Sequence, residues 1–162
     1  MTEREVQNET SPPRAENGAK SAAHNFSITL HVLNAANEGE FEGVFAKLIE
    51  IGARGLVVGA DPLFASRSAR LGDLAARHSV PAVFENRSFA AAGGLASYGS
   101  DAIDSYRLTG VYVARVLKGE KPADLPAQQG TKLQLFINAR AASALGIVVP
   151  LPLSGRADEL IE

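Results

Sequence analysis

Polar and apolar residues repeat along this chain with two periods, one of two residues and one of three to four. Residues 27–33 alternate polar and apolar side chains and end at Asn34, which is the pattern of a half-buried β-strand. Residues 41–49 repeat apolar side chains at intervals of three and four, which predicts an amphipathic helix. Asn37 and Glu40 precede this helix as a capping pair, so its start is predicted as well.

The same two periods continue to the end of the chain, with glycine, proline and asparagine between the segments. Strands are predicted at 56–58, 80–84, 95–98 and 132–137, helices at 66–77, 101–118, 139–145 and 156–161, and extended chain at 147–152. Strands that alternate with helices through short links are typical of an α/β fold. We therefore expect a parallel sheet with helices on both faces.

The first 25 residues differ in composition from the rest. Glu, Asn, Ser, Pro and Gly dominate there, and strong hydrophobes are nearly absent, so residues 1–25 are predicted to be a disordered or weakly structured head. Residues 1–14 are expected to be disordered. Residues 15–23 contain helix-forming side chains, but Asn17–Gly18 is expected to interrupt a helix there.

Polar side chains end or follow each predicted strand of the region that begins at residue 26. In an open parallel sheet, ligands bind outside the carboxyl ends of the strands. The candidate ligand-binding residues are Asn34, Asp61, Glu85, Ser97, Tyr98 and Asp101. Asp61 or Glu85 could pair with a ligand ammonium, and Tyr98 could stack on a ligand ring. Each candidate also has a structural interpretation as a helix cap or a turn residue.

Composition narrows the classes of function. The 162-residue chain is 46% apolar and has a formal net charge of −2, so no basic excess indicates nucleic acid or an anionic membrane as a partner. It has no cysteine, and its three histidines lack metal-ligand spacing, so no metal site is predicted. Neither a phosphate-binding glycine motif nor a G-x-S-x-G turn is present, so we expect no cofactor and no catalysis.

Several stretches together resemble one protein family: "LHVLNA", "GLVVGADPLF", "LAARHSVPAVFE", "AGGLASYG", "YVARVLKGEKPADLP" and "LFINARAASALGIVVPLPLSGRADELIE". From residue 28 to 162 the chain is similar to the solute-binding components of bacterial ABC importers. Within them it resembles the branch that includes tryptophan- and aromatic-amino-acid-type binding proteins. The resemblance implies a type I periplasmic binding fold of two α/β lobes, no enzyme activity, a small-molecule ligand such as an amino acid, and an ABC permease as partner.

By this resemblance residues 26–118 are a ligand-binding lobe with a crossover helix. Residues 119–162 are a linker, a hinge strand and C-terminal helices that return to the first lobe. Family members are longer and begin with a signal peptide and a first lobe, so the resemblance implies a C-terminal portion that holds half a site and binds weakly. The resemblance also implies a location in the periplasm. A chain that begins with this polar stretch is, however, expected to stay in the cytoplasm.

Two further expectations follow from the resemblance. Residues 132–161 normally pack on the first lobe, so their apolar surface is expected to be exposed here. Dimerisation or aggregation is expected as a result. An effector-sensing domain of a regulatory protein is the alternative function, because such domains share the fold and a fold does not fix a function. The acidic head and the lack of a preceding helix-turn-helix motif argue against that alternative.

Overall fold

The computed structural model describes residues 13–126 and 133–162. The strands in these ranges are β1 (Leu56–Val57), β2 (Ala82–Phe84), β3 (Ala96–Ser100), β4 (Leu133–Asn138) and β5 (Glu159–Ile161). The helices are α1 (Pro13–Asn25), α2 (Phe41–Glu50), α3 (Pro62–Ser66), α4 (Ser68–Arg77), α5 (Arg87–Ala91), α6 (Ala102–Leu117), α7 (Ala139–Ala144) and α8 (Leu151–Ser154), with 3₁₀ turns at Glu38–Glu40 and Pro122–Asp124. The predicted disorder of residues 1–12 and the end of the predicted linker lie outside the described residues.

The five strands form one sheet in the order β1-β2-β3-β4-β5. β1, β2 and β3 are parallel, β4 is antiparallel to β3, and β5 is parallel to β4. The predicted α/β class is therefore confirmed, with a sheet that is mostly parallel. β4 begins beside the end of β3, where Leu133 pairs with Ser100. The chain thus leaves the sheet at the end of β3, through α6, and re-enters it beside that same end at the start of β4. α6 therefore does not connect two parallel strands.

The apolar core lies between one face of the sheet and helices α2, α4 and α5. Its cluster of buried residues is Phe41, Phe45, Leu48, Leu71, Leu74, Ala75, Val80, Ala82, Phe84 and Phe89. The buried residues of α2 are three of those that the apolar period predicted. Burying each large side chain of this kind contributes about 1.5–3 kcal/mol, so this cluster is the main source of stability in the described fold.

The strand predicted at residues 27–33 is wrong. These residues carry no strand assignment and are exposed except Leu33, and β1 is the outermost strand of the described sheet. An alternating pattern produces a strand only when a neighbour pairs with its backbone, and no ladder joins this segment to β1 in the described residues. The helix of the head also differs from expectation, because α1 runs through Asn17–Gly18.

The helix predicted at residues 156–161 is wrong as well, because residues 159–161 form strand β5. The Asp158 N–H donates to the Leu135 carbonyl over 2.8 Å, and the Leu135 N–H donates to Oδ2 of Asp158 over 2.8 Å. Arg87 binds Glu159 at the start of β5 and holds the pKa of that carboxyl below its usual value, through their hydrogen bond first and their opposite charges second. Pairing with β4 therefore overrides the local helical preference.

Two element boundaries also differ from the sequence-based expectation. The helix predicted at 66–77 is α4, which begins at Ser68, and the separate short helix α3 precedes it. α8 forms in and just beyond the stretch predicted to be extended. α2 agrees with the prediction, and the predicted capping pair is formed, but it caps the 3₁₀ turn that leads into α2. The Asn37 side chain accepts from the Gly39 N–H over 3.0 Å, and Glu40 accepts from Asn37 Nδ2 over 2.7 Å.

Gly72 allows α4 to pack directly on α5, and its replacement should be destabilising. A Cβ at Gly72 would lie 2.3 Å from the carbonyl oxygen of Phe89 and 3.1 Å from Cβ of Ala92. We expect Gly72→Ala to lower the free energy of unfolding by about 1–3 kcal/mol, because the helices must separate. Gly43→Ala is the control, since Gly43 has open space around it in α2 and should gain up to about 1 kcal/mol in helix propensity. Urea unfolding of both variants measures the difference, and equal midpoints would contradict the prediction.

Candidate functional site

Two of the predicted site residues are helix caps. Asp61 accepts a hydrogen bond from the Leu63 N–H over 2.7 Å at the start of α3. Asp101 accepts one from the Asp104 N–H over 3.1 Å at the start of α6. A carboxylate at a helix N-terminus satisfies an orphan donor and complements the helix dipole. The structural interpretation therefore accounts for both acids, and each carboxylate already has one oxygen engaged.

Glu85 and Tyr98 lie near the carboxyl ends of the neighbouring strands β2 and β3. β2 and β3 are parallel, with Val83 beside Ala96 and Phe84 beside Ser97. Tyr98 lies within β3, whereas Glu85 is the first residue after β2 and lies in a bend. Both residues are exposed. One acid and one ring of the predicted set thus stand at the same end of the sheet, the ring in a strand and the acid just outside one.

Gly99 supports this arrangement because it lets the end of β2 approach β3 closely. A Cβ at Gly99 would lie 2.4 Å from the carbonyl oxygen of Glu85 and 2.9 Å from its Cβ. Any larger residue would push the two strands apart, since backbone atoms cannot give way as a flexible side chain can. Gly99 therefore helps to fix where Glu85 stands relative to Tyr98.

Ser97 and Asn34 do not join this pair. Ser97 is 0% exposed and lies on the core side of β3, and its hydroxyl has no hydrogen-bond partner in the described residues. This burial leaves Ser97 no surface to offer a ligand. Asn34 follows the unpaired extended segment rather than a strand, so it does not mark a strand end. The prediction that Asn34 ends a strand of the sheet is therefore wrong.

A cleft of about 400 Å³ opens beside Tyr98. Its lining residues come from β3, β4, α8 and the segment after α8: Tyr98, Leu133, Leu135, Leu153, Arg156 and Asp158. Tyr98 is 56% exposed and pairs across the strands with Leu135. The cleft therefore has an apolar floor, an aromatic wall and two oppositely charged side chains.

The charges of this cleft are only two residues apart in sequence. Asp158 uses Oδ2 to accept the Leu135 N–H, which fixes its carboxylate at the rim. Within residues 13–126 and 133–162, no carboxylate lies within ion-pair distance of the Arg156 guanidinium. A guanidinium and a carboxylate beside an apolar floor can hold a small molecule that carries both charges and an apolar group.

Sequence reasoning missed Arg156 and Asp158 as site residues. Both stood in a segment predicted to be a helix, remote in sequence from Tyr98. Only the pairing of β4 with β3 and β5 brings them together. The available signal was a cluster of charges, Arg156 to Glu159, next to a predicted strand.

Other kinds of site find little support in the part of the chain that the structure describes. A second cavity of about 380 Å³ beside α7 is lined mainly by small and apolar residues, with Ser143 as its polar side chain. The described residues contain no cluster of three His, Cys, Asp or Glu side chains that could hold a metal ion. They also contain no helix long and apolar enough to cross a membrane.

Comparisons with known proteins agree with this architecture. The family model described as ABC transporter substrate binding protein matches residues 7–161. A conserved domain protein of Vibrio cholerae has 25% identity and a TM-score of 0.81 over 91% of this chain and 50% of its own. An ABC domain from Streptococcus pneumoniae, solved in complex with L-Trp, has 24% identity and a TM-score of 0.81 over 92% of this chain and 50% of its own.

A third solved structure is more distant. The ligand-free, open form of a Clostridium difficile substrate-binding protein with adhesive properties has 19% identity and a TM-score of 0.65, over 96% of this chain and 52% of its own. The chain thus spans about half the length of the solved proteins it matches. No curated protein sequence matches it. With nearly its whole length matched, the chain belongs to the ABC transporter substrate-binding protein family, whose members carry solutes and do not transform them.

Proposed function

We propose that this chain provides a solute-binding surface of an ABC importer, and that the cleft beside Tyr98 takes an amino acid with an apolar or aromatic side chain. The observation that carries the proposal is the composition of that cleft, in which an apolar floor and an aromatic wall stand beside Arg156 and Asp158. An ABC permease as the partner and the periplasm as the place of action belong to the same proposal, and both rest on family membership.

Each part of an amino acid has a counterpart in the cleft. The Arg156 guanidinium would bind the ligand carboxylate, ideally by a bidentate contact. Asp158, or Glu85 just after β2, would bind the ammonium. The ring of Tyr98 would stack on the side chain of the ligand, above Leu135. Asp61 and Asp101 have no direct role in this proposal because both cap helices.

One of the similar solved structures contains an amino acid of the proposed kind. The Streptococcus pneumoniae domain was solved in complex with L-Trp, which has the charges and the ring that the cleft of this chain would accommodate. At 24% identity that likeness shows the fold alone, so the choice of an amino acid rests on the chemistry of the cleft. L-Trp is nevertheless the natural first probe.

The open shape of the cleft limits its affinity. An exposed charge pair contributes about 0–1 kcal/mol, and one ring contact adds about 0.5–1.5 kcal/mol. Two such pairs and one ring together contribute at most about 3.5 kcal/mol, which is below the roughly 4 kcal/mol of a millimolar complex and far below the roughly 8 kcal/mol of a micromolar one. We therefore expect the 162-residue chain to bind amino acids no tighter than millimolar.

Protein-detected NMR titration with L-Trp tests this proposal. We expect a dissociation constant of about 1 mM or weaker, with shifts in the backbone signals around Tyr98 and Leu135. Tyr98→Ala and Arg156→Gln should each weaken binding about threefold or more, because each loses one contact. Tryptamine lacks the carboxylate, so its dissociation constant should be the same for the parent chain and for Arg156→Gln.

Arg140→Gln is the matched control, because Arg140 is an exposed arginine on α7 outside the cleft. It should bind L-Trp as the parent chain does. A micromolar dissociation constant would show that the chain carries a complete site. Binding that ignores both Tyr98→Ala and Arg156→Gln would move the site away from this cleft.

Self-association through the surface of residues 133–161 also remains a proposal. Several large apolar side chains there are exposed, among them Val148, Leu151 and Leu160. Contiguous exposed apolar surface favours association in solution. Val148→Glu should reduce any association that depends on this surface.

A further inference from the structure

The segment that carries the two charges of the cleft is held to the sheet by a short edge strand. Arg156 and Asp158 directly precede β5, which has three residues and is the outermost strand beside β4. A three-residue strand at the edge of a sheet opens more easily than the strands inside it. Any further attachment of this segment therefore affects how the two charges stand beside Tyr98.

Arg87 provides such an attachment from a distant part of the chain. Its Nε donates to Oε2 of Glu159 over 2.8 Å and its Nη2 to Oε1 over 2.5 Å, between residues 72 apart in sequence. The guanidinium fork thus engages both oxygens of the carboxylate, which is the most specific geometry for this pair. The same hydrogen bond, followed by the opposite charge, raises the pKa of Arg87 above its usual value.

An aromatic ring fixes the guanidinium in this position. The central carbon of the Arg87 guanidinium lies 5.6 Å from the centroid of the Phe136 ring. Phe136 on β4 is also the cross-strand partner of Glu159 on β5. The ring and the carboxylate therefore hold the guanidinium together, one by cation–π attraction and the other by charge. Exposed ion pairs generally contribute little, but a forked pair of this kind is the exception.

The other end of this contact is anchored in the core. Arg87 is the first residue of α5, in which Phe89 and Ala90 are 0% exposed. The Ala90 carbonyl also accepts from Nδ2 of Asn138 at the end of β4, over 2.8 Å. Arg87 thus connects a helix that is fixed in the core to the edge segment before β5.

Arg87 acts from the face of the sheet opposite the cleft. Phe136 pairs with the buried Ser97, whereas Leu135 pairs with Tyr98. Successive side chains of a strand point to opposite faces, so the Phe136 ring and the guanidinium over it lie on the core side. Leu135 and Tyr98 line the cleft on the other side. Arg87 can therefore affect the cleft only through the segment that it holds.

We propose that Arg87 is a positioning residue of the cleft. Through Glu159 it holds residues 156–159 against β4, and it thereby keeps Arg156 and Asp158 where they can bind the two charges of an amino acid. The part of this inference that concerns the ligand rests on the proposed function. The hold on the segment rests on the contacts of Arg87 alone, so the two can be tested separately.

Amide hydrogen exchange in the ligand-free chain tests the hold on the segment. The Asp158 N–H donates to the Leu135 carbonyl, and the Leu135 N–H donates to the Asp158 carboxylate. Arg87→Gln should speed the exchange of both amides about threefold to fivefold, because the segment separates from β4 more often. The Leu95 N–H donates to the Ala82 carbonyl between β2 and β3, so it should exchange at the parent rate.

Arg67→Gln is the matched control, because Arg67 also pairs with a distant acid, Glu38, and its side chain is 50% exposed like that of Arg87. It should leave the exchange of Asp158 unchanged. Glu159→Gln should act as Arg87→Gln does. The double variant should exchange no faster than Arg87→Gln alone, because the two residues form one contact.

Protein-detected NMR titration tests the consequence for binding. Arg87→Gln should weaken L-Trp binding about threefold, because both charged groups of the cleft lose their fixed position. Indole has the ring of L-Trp but neither charge, so it should shift the Tyr98 signal equally in the parent chain and in Arg87→Gln. A general loosening of the fold would change the response to both ligands.

The outcomes separate this inference from the proposed function. Unchanged exchange of Asp158 in Arg87→Gln, or an equal acceleration in Arg67→Gln, would refute the hold on the segment. Unchanged L-Trp affinity in Arg87→Gln, while Arg156→Gln weakens binding, would refute the positioning role. L-Trp binding that ignores Arg156→Gln would instead refute the proposed function, and the exchange rates would still decide whether Arg87 holds the segment.

Discussion

Phe89→Ala should lower the free energy of unfolding by about 3–5 kcal/mol. Phe89 is 0% exposed on α5, and its ring meets that of Phe84 edge to face at a centroid distance of 5.8 Å. A Cβ at Gly94 would lie 2.1 Å from Cε1 of Phe89, so the ring also lies directly against that backbone. Removing the ring leaves a cavity between α5 and the sheet that the close-packed neighbours cannot fill.

Phe26→Ala is the control for this prediction. Phe26 is 75% exposed, so its ring buries little surface, and its loss should change the free energy of unfolding by no more than about 0.5 kcal/mol. Urea denaturation followed by far-UV circular dichroism compares the two variants with the parent chain. Equal midpoints for Phe89→Ala and Phe26→Ala would show that the core does not lie where the structure places it.

The parts of the fold that could be predicted from sequence are those that local interactions determine. α2 has a capping pair at its start and an apolar period along its length, and both act within a few residues. Strand β5 could not be predicted, because its partner strand β4 is distant in sequence, with Phe136 paired to Glu159. The alternation at 27–33 failed for the converse reason, since its pattern suits a strand but no described strand pairs with it.

The candidate site divides in the same way. The capping roles of Asp61 and Asp101 follow from their own neighbours and were among the predicted alternatives. The placement of Glu85 and Tyr98 at the same end of the sheet required β2 and β3 to be parallel, which the alternation of strands and helices predicted. Arg156 and Asp158 reach Tyr98 only through the antiparallel β4 and the final strand. Local periodicity contains no information about that contact.

Asn138→Ala should cost about 1–3.5 kcal/mol, because Asn138 joins the C-terminal part of the sheet to α5. Its Nδ2 donates to the Ala90 carbonyl over 2.8 Å, and its Oδ1 accepts from the Ala141 N–H over 2.8 Å. Loss of the cap of α7 costs about 0.5–2 kcal/mol. Loss of the hydrogen bond to Ala90, whose carbonyl keeps the Gly93 N–H as a donor, adds about 0.5–1.5 kcal/mol.

Asn86→Ala separates these two effects. Asn86 caps α5 by accepting from the Ser88 N–H over 3.0 Å, but it makes no contact like that of Asn138 with Ala90. Asn86→Ala should therefore lower the free energy of unfolding only by the contribution of the α5 cap. Asn138→Asp keeps an oxygen for the Ala141 N–H and loses the donor to Ala90, so it should remain destabilised at neutral pH. Urea denaturation of the three variants gives the comparison. A cost for Asn138→Ala no greater than that for Asn86→Ala would show that the buried amide contributes nothing beyond its cap.

Because β4 also carries Leu133 and Leu135 of the cleft, Asn138→Ala should weaken L-Trp binding as well, whereas Asn86→Ala should leave it unchanged.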